Sequence, residues 1–248
     1  MSLTDNAPAK VDRTFKGLRQ FNSPDGRRLS NRRDRMNPGW AKWFPTDSLV
    51  DRMARELCRH YAVDMKEFCE SFEFFTRVRK HIRAKVVTDL CCGHGLTGLL
   101  FAVFEREVER VDLVDRMCPP TFHKLLKAIA EVAPWAIPKV EFHTMALGQY
   151  RIREGSSVIG VHACGVQTDR CIECAIELNT PVAVMPCCHS SIAYGQRPRM
   201  FDETIGIPLA IDIDRSYRLR ESGYDVRWKA IPTVVTPKNR IILGEPRK

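Results

Sequence analysis

The stretch Lys85-Val-Val-Thr-Asp-Leu-Cys-Cys-Gly-His-Gly-Leu-Thr-Gly98 constrains this chain more than any other. Val86 and Val87 read as a buried parallel strand over 85–90, and Leu96 opens a helix expected to run over 96–107. Between them, Gly93 and Gly95 permit a tight turn and a close approach of backbone to ligand, and the helix start presents unpaired N–H groups. Strand, glycine turn and helix in that order can hold a ribose- or phosphate-bearing cofactor. A glycine-rich turn without a ligand is the plainer alternative.

Gly93-His-Gly-Leu-Thr-Gly98 also satisfies the dinucleotide fingerprint. Asp115 ends an apolar strand over 111–115, about 20 residues on, where a carboxylate grips ribose hydroxyls. The glycines therefore do not choose between cofactors. Asp89 does: a carboxylate at the strand end repels a pyrophosphate and suits a cationic amino-acid moiety, which favours S-adenosylmethionine over NAD.

From Lys85 onward strands alternate with helices, the pattern of a parallel sheet covered on both faces. Strands are expected at 85–90, 111–115, 139–144, 157–162 and 182–185, and helices at 96–107, 119–132, 166–178 and about 210–222. Segments 224–231 and 240–243 read as strands whose short, Pro-containing connection leaves no room for a helix, so they must pair antiparallel. A parallel sheet ending in such a hairpin is the layout of class I methyltransferases, a Rossmann-like α/β fold preceded here by N-terminal helices. A nicotinamide dehydrogenase of this layout normally adds a substrate domain.

Three regions are expected: a basic, partly irregular arm over 1–46, helices over 47–82, and the methyltransferase domain over 83–248. The arm holds ten Lys and Arg against four Asp, so +6 of the net +9 resides there, while Pro8, Pro24, Gly26, Pro38 and Gly39 argue against regular structure. Arg27-Arg28 and Arg32-Arg33-Asp34-Arg35, with Trp40 and Trp43 beyond, suit phosphate contacts and base stacking; a solvated leader explains the same charges. Thr46 or Asp47 can cap a helix running to Tyr61, with Leu49, Met53, Leu57 and Tyr61 on one face. A second helix over 64–81 carries Phe68, Phe72, Phe74 and Phe75, either as a cap over the cofactor or as packing on the sheet.

The 44% hydrophobic content suits a globular chain. No apolar run approaches the roughly 20 residues of a membrane span, and the first 40 residues lack a signal-peptide stretch, so no membrane partner and a cytoplasmic location are expected. Cysteines fall as Cys91-Cys92 and Cys187-Cys188 at strand ends and singly along helices, which suits reduced thiols. Cys171-Ile-Glu-Cys174 has the spacing of half a zinc site but lies in a helical stretch with no second Cys-x-x-Cys.

Asp89-Leu-Cys-Cys-Gly93-His-Gly95 closely resembles the cofactor loop of S-adenosylmethionine-dependent methyltransferases, with Cys91 where the first glycine of that loop is commonest. Val161-His-Ala-Cys-Gly165, Met185-Pro-Cys-Cys-His189 and Thr236-Pro-Lys-Asn-Arg240 resemble a subgroup of methyltransferase-like proteins that includes, at greater distance, eukaryotic tRNA 2′-O-methyltransferases. The resemblance covers roughly residues 80–248 and is specific for fold and cofactor, weak for substrate. It implies that Asp89, Gly93 and Gly95 line the methionine part of the cofactor, that Asp115 holds the ribose, and that the turn Ala146-Leu147 borders adenine. Cys91 and His162 complete the implied cofactor set.

His162, Cys164, Cys187, Cys188 and His189 follow the fourth and fifth strands, so five soft side chains should converge at the carboxyl edge of the sheet as candidate catalytic residues. A thiolate at Cys187 or Cys164 can add to a pyrimidine before methyl transfer; Cys and His can bind zinc or another soft metal; His162 or His189 can act as base towards a hydroxyl or amine. Buried cysteines are also ordinary apolar fillers, and no metal is assigned. An Asn-Pro-Pro-Tyr-like segment is absent, which disfavours methylation of exocyclic base amines. Asp212-Ile-Asp214-Arg215 opens a helix whose Tyr217, Arg218 and Arg220, with Arg197, Arg199, Lys238 and Arg240, either reach the substrate or form a charged face.

The expected function is methyl transfer from S-adenosylmethionine to RNA, tRNA or rRNA, on charge grounds. Rival readings are a small-molecule or protein methyltransferase, a non-catalytic RNA-binding protein that keeps the fold, and an NAD-binding oxidoreductase. The oligomeric state stays open.

Overall fold

The computed structural model describes residues 14–189 and 204–247. Its strands are β1 (Val86–Leu90), β2 (Arg110–Asp115), β3 (Val140–Thr144), β4 (Ser156–Val161), β5 (Val182–Met185), β6 (Tyr224–Ala230) and β7 (Arg240–Pro246). They form one sheet in the order β3-β2-β1-β4-β5-β7-β6. The first five run parallel, and β7 lies antiparallel between β5 and β6. This is the class I methyltransferase arrangement read from the sequence. Strand order reverses between β1 and β4, and such a switch point opens a crevice at the carboxyl ends of the strands.

The helices are α1 (Pro24–Leu29), α2 (Leu49–Arg59), α3 (Met65–Val78), α4 (Leu96–Phe104), α5 (Pro120–Ala130), α6 (Val166–Glu177) and α7 (Ile207–Glu221). Ser48 caps α2 by accepting from Asp51 N at 3.2 Å, and Asp64 caps α3 by accepting from Glu67 N at 2.8 Å. Tyr61 is not on the apolar face of α2: it follows the helix with φ +48° and is 48% exposed. α4 ends at Phe104, short of 107, because Glu105 turns extended. The α3 phenylalanines are packing: Phe75 meets Phe101 at 4.9 Å and Phe72 meets Phe104 at 5.7 Å, both edge-on. That contact seats α3 along α4 and brings the other face of α3 to the glycine loop.

The basic arm departs from expectation, because from residue 14 it is folded onto α2 and α3. It holds α1 and two 3-10 turns, Arg19–Asn22 and Pro38–Trp43. Phe15, Leu18, Phe21, Leu29, Met36 and Phe44 are buried in the same core as the sheet. The fully buried Glu73 accepts the backbone N–H groups of Lys16, Gly17 and Leu18 at 2.9–3.1 Å and pairs with Arg77. Arg77 in turn donates to Thr14 O at 2.9 Å and to Ala230 O of β6. Pro24 and Pro38 instead start short helices that contain Gly26 and Gly39, and Pro8 lies outside the described residues. Trp40 and Trp43 pack against the core, Trp43 lying 6.0 Å from Phe21, while Arg28 and Arg33 stay exposed.

α7 is joined to α6 by charge. Arg215 is fully buried; its guanidinium donates to Asp169 at 3.0 and 3.2 Å, to Asp212 at 3.2 Å and to Gly165 O at 3.3 Å. Asp212 also accepts from Arg240 at 2.8 Å, and Arg218 binds Asp169 and Glu173 at 3.1 Å. Arg215, Arg218 and Arg240 therefore brace the fold through these carboxylate pairs. Tyr217, Arg220 and Lys238 are exposed, and Arg197 and Arg199 lie outside the described residues.

Arg215→Met keeps most of the volume but leaves two buried carboxylates short of a cation. Removing one partner of a buried pair costs about 3–5 kcal/mol. Because Arg218, Arg240 and His189 still reach these carboxylates, the lower end, about 3 kcal/mol, is expected in urea unfolding. A loss below about 1 kcal/mol, the range of exposed pairs, would refute this role.

Candidate active-site cleft

The loop after β1 needs left-handed backbone at alternate positions: Cys91, Gly93 and Gly95 have φ of +56°, +56° and +78°. At Gly93 and Gly95 glycine meets that demand freely, and a Cβ at Gly95 would also lie 2.6 Å from Leu113 Cδ1. Cys91, at the commonest position of the first glycine, adopts the same conformation with a side chain, as does His162 at φ +60° beyond β4. Strained non-glycine backbone thus marks the ends of both strands that flank the switch point.

A cleft of about 330 Å³ opens there. Asp89, Cys91, Cys92, Gly93 and Asp115 form its floor at the ends of β1 and β2. Glu67, Glu70 and Ser71 supply a wall from α3, His94 and Thr97 come from the loop and α4, and Val161 and His162 close the β4 side. The sequence-derived Asp89, Cys91, Gly93, Asp115 and His162 all line this one space. Gly95 instead caps α4. Ala146 and Leu147 do not border the cleft; Leu147 is buried and starts a 3-10 turn.

The cleft is acidic. Asp89 is 1% exposed; its Oδ2 accepts Gly98 N–H at 2.9 Å, whereas Oδ1 is buried with no partner. Burial, reinforced by the charge of Asp115 and opposed by the Gly98 bond, pushes its carboxyl up to about 7. Asp115 Oδ2 accepts Gly93 N–H at 2.9 Å, which ties the loop to β2. Burial would raise Glu70, but His162 and Lys66 outweigh it and hold the carboxyl below its ordinary value. His162 Nε2 lies 3.0 Å from Glu70 Oε2, in ionic reach but off the line of a hydrogen bond. Burial likewise opposes Glu67, and His94 at 3.4 Å overcomes it. His94 Nδ1 accepts Leu96 N–H at 3.2 Å, so the ring carries its proton on Nε2, towards Glu67.

The expected cluster of five divides. Cys164 and Cys187 sulfurs are 3.2 Å apart, Cys187 and Cys188 3.6 Å, and Cys187 Sγ meets His162 O at 3.7 Å. His189 is not among them: its ring is buried under α7, with Nε2 2.9 Å from Asp212 and Nδ1 unpartnered. Burial pushes the Cys164 thiol up and the Cys187 thiol far up, with no cation among the described residues acting on them to favour a thiolate. That weakens the nucleophile reading. Cys171 and Cys174 are buried on α6, as helix-face thiols, and Asp112 is a buried anchor for Arg110, His143 and Arg153.

Glu67, Glu70, Ser71 and Thr97 are cleft residues that the sequence reading missed. The signal available was Glu67 and Glu70 one turn apart on a phenylalanine-rich helix, off the Phe68–Phe72–Phe75 face. Four carboxylates, one of them with an unpaired buried oxygen, fit a cationic ammonium or sulfonium, and they do not fit a pyrophosphate.

The chain matches no protein-family model and no curated protein. Among solved structures it is similar to the Methanococcus jannaschii fibrillarin pre-rRNA processing protein (15% identity, 66% of this chain and 68% of that one, TM-score 0.46). It is also similar to the methyltransferase domain of bacterial CtHen1 (14%, 74% and 100%, TM-score 0.47). A third is human N-acetylserotonin methyltransferase in complex with S-adenosylmethionine (11%, 81% and 57%, TM-score 0.43).

Proposed function

We propose that the chain binds S-adenosylmethionine in the acidic cleft and transfers its methyl group to RNA, tRNA or rRNA. The observation that carries the cofactor reading is the buried, unpartnered Asp89 Oδ1 among Glu67, Glu70 and Asp115. Asp89 and the α3 carboxylates would attract the cationic amino-acid end, and Asp115 would accept ribose hydroxyls beside Gly93. The bound cofactor supplies an electrophilic methyl group. His162 is the favoured general base towards a hydroxyl or amine: it lines the cleft, and its Nε2 lies 3.0 Å from Glu70 Oε2, which would orient the ring. The RNA reading rests on charge, since the chain carries +9 overall and +6 within residues 1–46, with Arg28 and Arg33 exposed.

Asp89 gives the cofactor reading a pH signature. Its folded carboxyl titrates at about 7, so below that pH the uncharged form dominates and a cationic ligand loses its partner. Affinity for S-adenosylhomocysteine should fall about tenfold per pH unit below 7 and level off above it. Asp89→Asn should remove that slope. A flat wild-type profile, or the same slope in Asp89→Asn, would contradict the assignment.

Transfer of a labelled methyl group tests the reaction. Label should enter tRNA or rRNA, and His162→Ala should lower kcat by about 100-fold or more with little change in S-adenosylhomocysteine affinity. Deleting the arm would expose the core that Phe15, Leu18 and Phe21 help to fill, so Arg28→Ser with Arg33→Ser is the cleaner probe. It should raise KM for RNA and flatten the salt dependence by about 0.7 per lost phosphate contact. Label found only in protein or small molecules would favour a rival substrate class.

A further inference from the structure

We propose that Cys164, Cys187 and Cys188 form a binding site for one soft, zinc-class divalent ion at the carboxyl ends of β4 and β5. The backbone brings them together. Val161 and Met185 are paired across the parallel strands, and His162 N–H continues the ladder to Met185 O at 3.1 Å. Three residues past β4 and two past β5, the chains still run side by side. Residues 186–189 are not extended strand, so the side chains of adjacent Cys187 and Cys188 need not point to opposite faces.

The spacing matches coordination. Tetrahedral thiolates at about 2.3 Å from zinc lie about 3.8 Å from one another. The three sulfurs lie within 4.8 Å of each other, with two separations at 3.2 and 3.6 Å, whereas a disulfide requires about 2.05 Å. Among the described residues their polar contacts are with each other and with the His162 carbonyl, and no lysine or arginine there is paired with the trio. The other close group of potential ligands among the described residues, Asp112, Glu141 and His143, differs in this respect, because Arg110 and Arg153 already pair with its carboxylates.

Both ligand loops are pinned by the α7 network. Arg215 holds Gly165 O next to Cys164, and Asp212 holds His189 next to Cys188. Such outer contacts fix the orientation of metal ligands. Cys164 and Cys188 are exposed, so a fourth position faces solvent, as in sites that admit water or substrate. Binding replaces three S–H bonds by three sulfur–metal bonds and releases three protons to solvent, with no change of oxidation state. This site goes beyond the methyl-transfer reading and does not depend on it.

The test uses the full chain purified under reducing conditions and titrated with Zn²⁺ against a chromophoric chelator, then with Co²⁺ read by its thiolate charge-transfer band. One equivalent of each should bind. Cys164→Ser and Cys187→Ser should each weaken Zn²⁺ binding by about 100-fold or more and remove the Co²⁺ band, while Cys118→Ser, outside the trio, should leave both unchanged. Circular dichroism and S-adenosylhomocysteine binding on the same samples confirm folding and separate failure of this site from failure of the cofactor reading. No saturable metal binding, undiminished binding in both serine variants, or a metal-free chain with Cys164 and Cys187 joined as a disulfide would each overturn it.

Discussion

A carboxylate buried with one oxygen satisfied and the other bare is the constraint around which this structure is arranged. Asp89 is the penultimate residue of β1, and its Oδ2 bond to Gly98 N–H fixes the first turn of α4. The bare Oδ1 has no hydrogen-bond partner among the described residues, and an unsatisfied buried oxygen costs about 1–3 kcal/mol. At the switch point of an open α/β sheet, a buried polar group kept at such cost is suited to a ligand that completes its bonding. Glu67, Glu70 and Asp115 line the same space, so a ligand meeting Asp89 there would be favoured in cationic form.

This acidity stands against a chain of net charge +9. Carboxylates converge in the cleft, whereas positive charge is concentrated along the sequence in the N-terminal segment, where Arg28 and Arg33 face solvent. Such a division suits a small cation inside and a polyanion outside. It is also maintained structurally, since Glu73 holds the arm by three backbone N–H groups and Arg77 ties the same helix to β6.

The glycine loop, Asp89, Asp115 and the antiparallel hairpin were legible because each is a local pattern: a strand, a turn residue, a charge at a strand end. What escaped depends on tertiary partners. The sequence marks Glu67 and Glu70 as neighbours on a helix, but only the Phe72–Phe104 and Phe75–Phe101 contacts decide that their face meets the cleft. The arm reads as irregular because Glu73, which organises its start, lies more than 50 residues away. His189 follows Cys188 in sequence yet turns to Asp212, because a buried carboxylate within 2.9 Å is a stronger partner than a thiol. Arg215 reads as a surface charge on a helix and is fully buried because Asp169 and Asp212 face each other across α6 and α7.

The central claim, a cleft built for a cationic adenosyl ligand and against a pyrophosphate, is tested most directly by parallel calorimetric titration with S-adenosylmethionine and NAD. The account predicts saturable one-to-one binding of S-adenosylmethionine, weakened by about 1–3 kcal/mol in Asp115→Ala, and no binding of NAD. Tight binding of NAD without binding of the adenosyl ligand would contradict it.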